Sequence, residues 1–217
     1  MFGENNNMIH NITKEQYIND PCGSSSIAYW KNSVYDKPKN IEIVHERDYR
    51  DTISTAGIRK YFRLFHDLKD IVLSSNDNFF FQNVNLKTQK GLVAEILSKC
   101  YDTEYSIEFV ESLTEAKVFC NDLWVLIIEK ATYIPVALGI ADFDEEVKEG
   151  SLEWIQVLKE KRGLGLGGLI VNELLLRLKS RANFATVSGQ VDNLTNPEIL
   201  YRKCGFIGND IWYVIYH

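Results

Sequence analysis

The chain has 217 residues, of which 45% are hydrophobic and 25% charged, as is typical of a globular domain. Its net charge of −6 argues against nonspecific binding to DNA or RNA, since such binding needs a basic surface. No apolar run reaches the roughly 17 residues that a membrane-spanning helix needs. The four cysteines and four histidines are scattered without disulfide or metal-ligand spacing. We therefore expect a cytoplasmic protein without a metal site, a disulfide framework or a membrane contact.

The first half of the chain predicts an extension followed by a core domain. Residues 1–60 are rich in Asn, Ser, Lys and Pro, and we expect an irregular N-terminal extension there, with a short strand at 41–44. Residues 61–217 form the predicted core domain. In it, the alternation at 61–65 predicts a strand, and the apolar spacing at 89–100 predicts an amphipathic helix. Ser106 is the expected N-cap of a second helix.

The second half predicts strands first and then two strand–helix–strand steps. Apolar runs on either side of Pro135 predict a β-hairpin, and a third strand and a glycine cluster follow it. A long, largely buried helix then leads to a strand, a short helix and a final strand. The predicted ranges are 124–128, 136–141, 152–158, 166–181, 184–191, 197–204 and 211–216. This order predicts an α+β fold with a mixed sheet, built as an α/β/α sandwich.

The glycine cluster at 163–168 is the strongest local signal. Glycines between a strand and a helix leave backbone N–H groups free to point at an anion, and the start of the helix adds a partial positive charge. Lys159, Lys161 and Arg162 add full charges beside it. In an acidic protein this local excess of positive charge predicts a site for a pyrophosphate group.

Two alternative interpretations of the glycine cluster are a dinucleotide-binding loop and a turn that serves packing. Gly163, Gly165 and Gly168 match the G-x-G-x-x-G pattern of dinucleotide-binding folds, and Asp192 lies about as far on as their acidic residue. However, charged residues separate the strand from the first glycine, and too little chain follows for a nucleotide-binding half. The cluster could also be a tight turn whose glycines serve packing alone. A P-loop is excluded because no lysine and hydroxyl residue follow the last glycine.

Two motifs resemble the Gcn5-related N-acetyltransferase (GNAT) superfamily. The run from Arg162 to Gly167 resembles the family's R/Q-x-x-G-x-G/A motif, and Val157 stands at its usual valine. Residues 193–206 resemble its second signature, which ends in Leu-Tyr and Gly-Phe. The resemblance covers about residues 120–217, with weaker support back to about 60. The sequence departs from the family pattern in both motifs. After Val157, the pair Leu158-Lys159 replaces the usual proline. In the second signature, Pro197 replaces a small residue, and the spacing from Asn193 to Tyr201 is one residue longer than usual.

The resemblance implies a fold, a reaction and a co-substrate. The expected sheet is mixed, mostly antiparallel and splayed between its fourth and fifth strands. The expected reaction is direct transfer of acetyl from acetyl-coenzyme A to an amine of a small-molecule or peptide acceptor, by a monomer or homodimer. The alternative is a non-catalytic module that binds coenzyme A or acyl-coenzyme A. From composition alone, aromatic side chains at 29–30 and 79–81 are interpreted either as a cover for the acceptor cleft or as residues that pack the N-terminal extension onto the core domain.

The resemblance also implies the residues that hold the cofactor and act on it. The tyrosine of the second signature would protonate or stabilise the departing thiolate, and either of two asparagines would reach the cofactor. The cofactor-binding set is Val157, Leu158, Arg162, Gly163, Leu164, Gly165, Leu166, Gly167, Gly168, Asn193, Asn196 and Tyr201.

Glu153 is the predicted general base. It lies four residues before Val157 on one strand, so that both side chains are expected on the same face of the sheet. The alternative carboxylates near the same loop are Asp142, Asp144 and Glu149. The resemblance also implies that a chain of water molecules can take the place of a dedicated base. Two cysteines are weighed as nucleophiles: Cys204 is interpreted as buried and structural, and Cys22 as the more exposed of the two.

Overall fold

The structure is a computed structural model that describes residues 12–51 and 56–217. Five α-helices and eight strands occur in these residues. Short 3₁₀ turns occupy Tyr29–Ser33, Asn121–Leu123 and Lys159–Lys161. In chain order the elements are α1 (Lys14–Asn19), β1 (Ile41–His45), β2 (Gly57–His66), β3 (Phe79–Asn83), α2 (Lys90–Tyr101), α3 (Ile107–Thr114), β4 (Trp124–Glu129), β5 (Pro135–Asp144), β6 (Glu149–Val157), α4 (Leu166–Leu178), β7 (Phe184–Gln190), α5 (Pro197–Lys203) and β8 (Ile207–Tyr216).

The chain divides into two compact units, which we describe separately. The first consists of the described residues up to His66 together with 186–202 and 206–217, and the second consists of 67–185 and 203–205. This partition follows contacts and does not test the predicted division of the chain at residue 60, which stays a prediction.

The first unit contains strands from both ends of the chain. Its strand order is β1–β8–β2–β7. Both β1 and β2 run antiparallel to β8, with Ile43 opposite Val214 and Tyr61 opposite Trp212. Buried Arg63 of β2 donates hydrogen bonds to the hydroxyl of Tyr17 on α1 and to Ser188 Oγ on β7. The strand predicted at 41–44 is therefore present as β1, whereas α1 is a helix in a region that was predicted to be irregular.

The second unit is an antiparallel sheet of β6, β5, β4 and β3 with helices on both faces. Leu138 and Ile140 of β5 belong to a buried cluster that includes α2 and α3. Gly139 lies between them and faces Ile170 of α4. Because successive strand residues point to opposite faces, α4 and the α2–α3 pair cover opposite sides. This arrangement positions the turn between β6 and α4 at one end of the layer.

Local sequence explains why the helices begin where they do. Ser106 Oγ accepts a hydrogen bond from the N–H of Phe109 at 3.2 Å, which confirms it as the N-cap of α3. Helix α2 buries Val93, Ala94, Ile96 and Leu97, at the spacing that predicted it. The predicted hairpin on either side of Pro135 is present as β4 and β5.

The contact of Gly139 with α4 is close enough to be tested by substitution. A Cβ at Gly139 would lie 2.5 Å from Ile170 Cγ1, so we expect Gly139→Ala to destabilise the fold by about 1–3 kcal/mol through overpacking. Gly57→Ala is the matched control, because a Cβ there meets no atom within 4 Å. Urea unfolding of both variants measures the difference. A Gly139→Ala protein as stable as the wild type would contradict this close packing.

Candidate functional site

The turn between β6 and α4 requires glycine for its backbone conformation. After β6 ends at Val157, a 3₁₀ turn leads to Gly163 and Gly165, whose φ angles are +83° and +77°. A Cβ at either residue would meet no atom within 4 Å. These glycines therefore allow a left-handed backbone and do not fill a close contact, which argues against the packing interpretation of the cluster.

The start of α4 leaves backbone amides without intrahelical acceptors beside this turn. Gly165 is the N-cap and contributes no side-chain cap, and the N–H of Leu169 donates to Gly165 O at 3.1 Å. The amides of Leu166, Gly167 and Gly168 precede that first intrahelical bond. Residues 163–165 are exposed. A helix start of this kind binds anions through its N–H groups and its dipole.

The three basic residues of the turn differ in their partners. Lys159 Nζ lies 2.6 Å from Asp102 Oδ2, and Lys161 Nζ lies 2.5 Å from Glu129 Oε1. The hydrogen bond from Lys161 lowers the pKa of Glu129. Arg162 is exposed and forms no ion pair with a described residue, while its Nε donates to the carbonyl oxygen of Val157 at 3.2 Å. Arg162 is thus the cation most available to an anionic ligand.

A β-bulge interrupts β6 at Glu153. Leu152 pairs with Ala141 and Trp154 pairs with Ile140, so Glu153 is the extra residue between two consecutive partners on β5. A bulge breaks the alternation of side chains, and the spacing of four residues to Val157 no longer assigns Glu153 to the same face. Glu153 is half-buried, and its role as the base stays a prediction.

The alternative carboxylates lie far from the glycine turn. Asp144 and Glu149 face each other at the opposite end of the β5–β6 hairpin, and Asp142 faces Ser151. At about 3.4 Å per residue, Glu149 lies about 27 Å along β6 from Val157. These three residues therefore lie together near the loop between β5 and β6, at the end of the hairpin away from the glycine turn, and their role as the base stays a prediction.

The predicted residues of the second signature belong to the first unit. Asn193 Oδ1 accepts hydrogen bonds from the backbone and the hydroxyl of Thr195, and Asn196 adopts a left-handed φ of +47° just before α5. Tyr201 of α5 is 7% exposed, and its ring packs against Phe62 and Phe206. The helix ends in a Schellman-type bond from Phe206 N to Tyr201 O at 3.1 Å, and Gly205 has a φ of +94°.

The cysteines do not form a nucleophilic site. Burial raises the pKa of the Cys204 thiol to about 11, so it stays protonated at neutral pH, as expected of a structural cysteine. Cys22 is also buried, at 4% exposed against 3% for Cys204, so neither thiol is accessible. Its backbone carbonyl accepts a hydrogen bond from Trp212 Nε1 at 2.8 Å, so the segment packs inward despite its turn-like composition.

Two residues beside the turn were missed by the sequence analysis. Tyr101 accepts a hydrogen bond at its hydroxyl from Gln156 Nε2 on β6 at 2.8 Å. Burial raises the pKa of the neighbouring Cys100, and the guanidinium of Arg162 beside this thiol partly offsets that rise. Both residues lie at the end of α2, more than fifty positions before the turn, and no local motif connects them to it.

No group of three or more His, Cys, Asp or Glu side chains in residues 12–51 and 56–217 is arranged to hold a metal ion. In the same part of the chain, every helix is too short or too polar to cross a membrane.

Comparison with solved structures identifies the fold. A GCN5-related N-acetyltransferase from Sphaerobacter thermophilus matches with a TM-score of 0.66 and 13% identity, over 86% of this chain and 63% of its own. A GNAT acetyltransferase from Colwellia psychrerythraea matches with a TM-score of 0.61 and 12% identity, over 86% and 69%. The ribosomal-protein-S18-alanine N-acetyltransferase of Escherichia coli matches with a TM-score of 0.50 and 14% identity, over 64% and 92%.

The chain therefore has the fold of the GCN5-related N-acetyltransferases, and the predicted α+β fold class is confirmed. The chain spans somewhat less than two thirds of the Sphaerobacter protein. No protein-family model matches the sequence, and no curated protein matches it.

Proposed function

We propose that this protein is a cytoplasmic N-acetyltransferase that transfers acetyl from acetyl-coenzyme A directly to an amine of a small molecule or peptide. The observation that carries the proposal is the glycine turn before α4, where Gly163 and Gly165 have left-handed backbones and open space around them. Such a turn exposes amides that suit the pyrophosphate of coenzyme A. The GNAT fold supports the same cofactor class.

The turn would hold the cofactor by its backbone and by one side chain. The amides of Leu166, Gly167 and Gly168 would donate to the pyrophosphate oxygens, and exposed Arg162 would add a full positive charge. Since Lys159 and Lys161 are already in ion pairs, they would contribute less than Arg162. At the end of β6, the backbone of Val157 and Leu158 would align the pantetheine arm.

The chemistry would need two proton transfers. The acceptor amine must be neutral to attack the thioester carbonyl, and Glu153 or a water chain would take its proton. The thiolate that leaves must be protonated, and the phenol of Tyr201 would supply that proton. Asn193 or Asn196 would hold the cofactor near this tyrosine. These roles come from the resemblance and are proposals for this chain.

A dinucleotide-binding function is less well supported. In such a fold the strand runs almost directly into the first glycine, whereas here the 3₁₀ turn of Lys159–Lys161 separates β6 from Gly163. A second candidate function remains, a non-catalytic module that binds coenzyme A, because the glycine turn alone would serve binding without turnover.

Calorimetric titration with acetyl-coenzyme A, coenzyme A and NAD tests the proposal. We expect both coenzyme A species to bind at micromolar Kd and NAD to bind at least tenfold more weakly, because only the former place a pantetheine arm along β6. Thermal shift should give the same order of ligands. Tighter binding of NAD, or binding of none of the three, would rule out the acetyltransferase assignment.

A further inference from the structure

A cavity of 170 Å³ lies beside helix α4. Its walls are α4, Phe81 of β3 and the coil segment 73–75 that leads towards β3. Leu73, Phe81, Leu169 and Leu176 make most of this wall apolar. An engineered apolar cavity of about 150 Å³ in another protein binds benzene, so this volume accommodates a molecule with a single ring.

One buried polar atom in the wall lacks a hydrogen-bond partner. Asn172 lines the cavity and is 6% exposed. Its Nδ2 donates to Ser74 Oγ at 3.2 Å, whereas its Oδ1 has no partner among the described residues. A buried carbonyl oxygen without a donor is unfavourable, and a ligand that brings a donor removes this cost.

The charge of the wall favours a neutral donor. Glu173 also lines the cavity, but its carboxylate is paired with Arg177 Nε at 2.7 Å. Arg177 in turn donates to Asn83 Oδ1 and to the carbonyl oxygen of Asp122. Because this carboxylate is already neutralised, a buried ammonium would lack a counter-ion, and its desolvation would oppose binding.

We propose that this cavity is a second ligand site, which binds a small neutral alcohol or phenol with a body of about one ring. The ring lies against Leu169, Leu176 and Phe81, and the hydroxyl donates to Asn172 Oδ1. Segment 73–75 adjusts to admit the ligand. Leu73 is 78% exposed, and Ser74 contacts α4 through its hydrogen bond with Asn172. The site is independent of the proposed acetyl transfer.

Matched ligands test the hydroxyl and the cavity separately. Phenol and toluene have nearly the same shape, and only phenol donates a hydrogen bond. We expect both to shift the backbone NMR signals of 73–75, 81 and 169–176. The ratio of the Kd of toluene to that of phenol should fall about fivefold in Asn172→Leu, since the variant keeps the volume and removes the acceptor. Leu176→Trp, at a residue 39% exposed, should fill the cavity and weaken both ligands about tenfold.

Three results would overturn the proposal. One is the absence of shifts at 169–176 with either compound at millimolar concentration, which would leave water as the occupant of the cavity. Another is an unchanged toluene-to-phenol ratio in Asn172→Leu, because the oxygen would then play no part. The third is undiminished binding in Leu176→Trp. Asn172→Ala removes the same acceptor and takes the place of the leucine variant if that protein does not fold.

Discussion

Gly165→Glu is expected to weaken the binding of acetyl-coenzyme A at least about 100-fold. The substitution forces a residue with a Cβ into a φ of +77°, which costs about 1–2 kcal/mol in the folded turn. It also introduces a carboxylate beside the amides of Leu166, Gly167 and Gly168, where it would compete with the pyrophosphate and repel it. Calorimetry with wild type and variant at the same ionic strength measures the loss.

Two further variants separate the causes of that loss. Gly165→Ala carries the same backbone strain without the charge, and we expect it to weaken binding only about tenfold. Gly57→Glu adds the same charge at a strand glycine whose φ is ordinary and whose Cβ position is open, and we expect no change in Kd. A Gly165→Glu protein that folds and binds acetyl-coenzyme A with wild-type affinity would remove the turn from the cofactor site.

Local patterns in the sequence predicted most elements of the second unit. The period of apolar residues in α2, the cap at Ser106 and the hairpin around Pro135 each depend on residues close in sequence. The glycine turn belongs to the same class, because a left-handed φ favours glycine. Features of this kind depend on residues within about ten positions of one another in the sequence, and they could be predicted without tertiary information.

Features set by strand pairing could not be predicted in this way. The aromatic residues 79–81, which were interpreted as a cover for the acceptor cleft, lie in β3, and the pairing of β3 with β4 depends on residues more than forty positions away. The bulge at Glu153 exists only relative to β5. The sequence analysis assumed regular alternation of side chains from Glu153 to Val157, and a bulge removes the basis for that assumption. The strand predicted at 41–44 is present as β1, but its pairing with β8, from the other end of the chain, could not be predicted from local patterns.

The same division applies to the candidate site. Arg162 and the glycines are adjacent in sequence, and their grouping followed from the motif. The contact of Tyr101 with Gln156 joins α2 to β6, and the position of Cys100 beside Arg162 joins α2 to the turn after β6. The pairing of Lys159 with Asp102 is also such a contact, and it changes how much charge the turn offers to an anion. Charge counted along the sequence therefore overestimates the charge available at the site.

Tyr201→Phe is expected to lower kcat for acetyl transfer about 100-fold while leaving the Kd of acetyl-coenzyme A within about twofold. General acid catalysis contributes about 10²–10⁴-fold, and the substitution removes only the hydroxyl that would protonate the thiolate. The ring contacts with Phe62 and Phe206 are kept, so the melting temperature should change little. Release of free thiol in the presence of a panel of amines measures turnover, and calorimetry measures binding.

Tyr213→Phe is the matched control for that experiment. Tyr213 is also a buried tyrosine of the first unit, and its ring stacks on Tyr49 at 4.1 Å. We expect its variant to retain wild-type kcat. If Tyr201→Phe turns over as fast as this control, Tyr201 is a core aromatic and the thiolate is protonated by another group. If wild type binds acetyl-coenzyme A but no amine releases thiol, the binding module becomes the better description, because the glycine turn would then be functional without the acid that follows it.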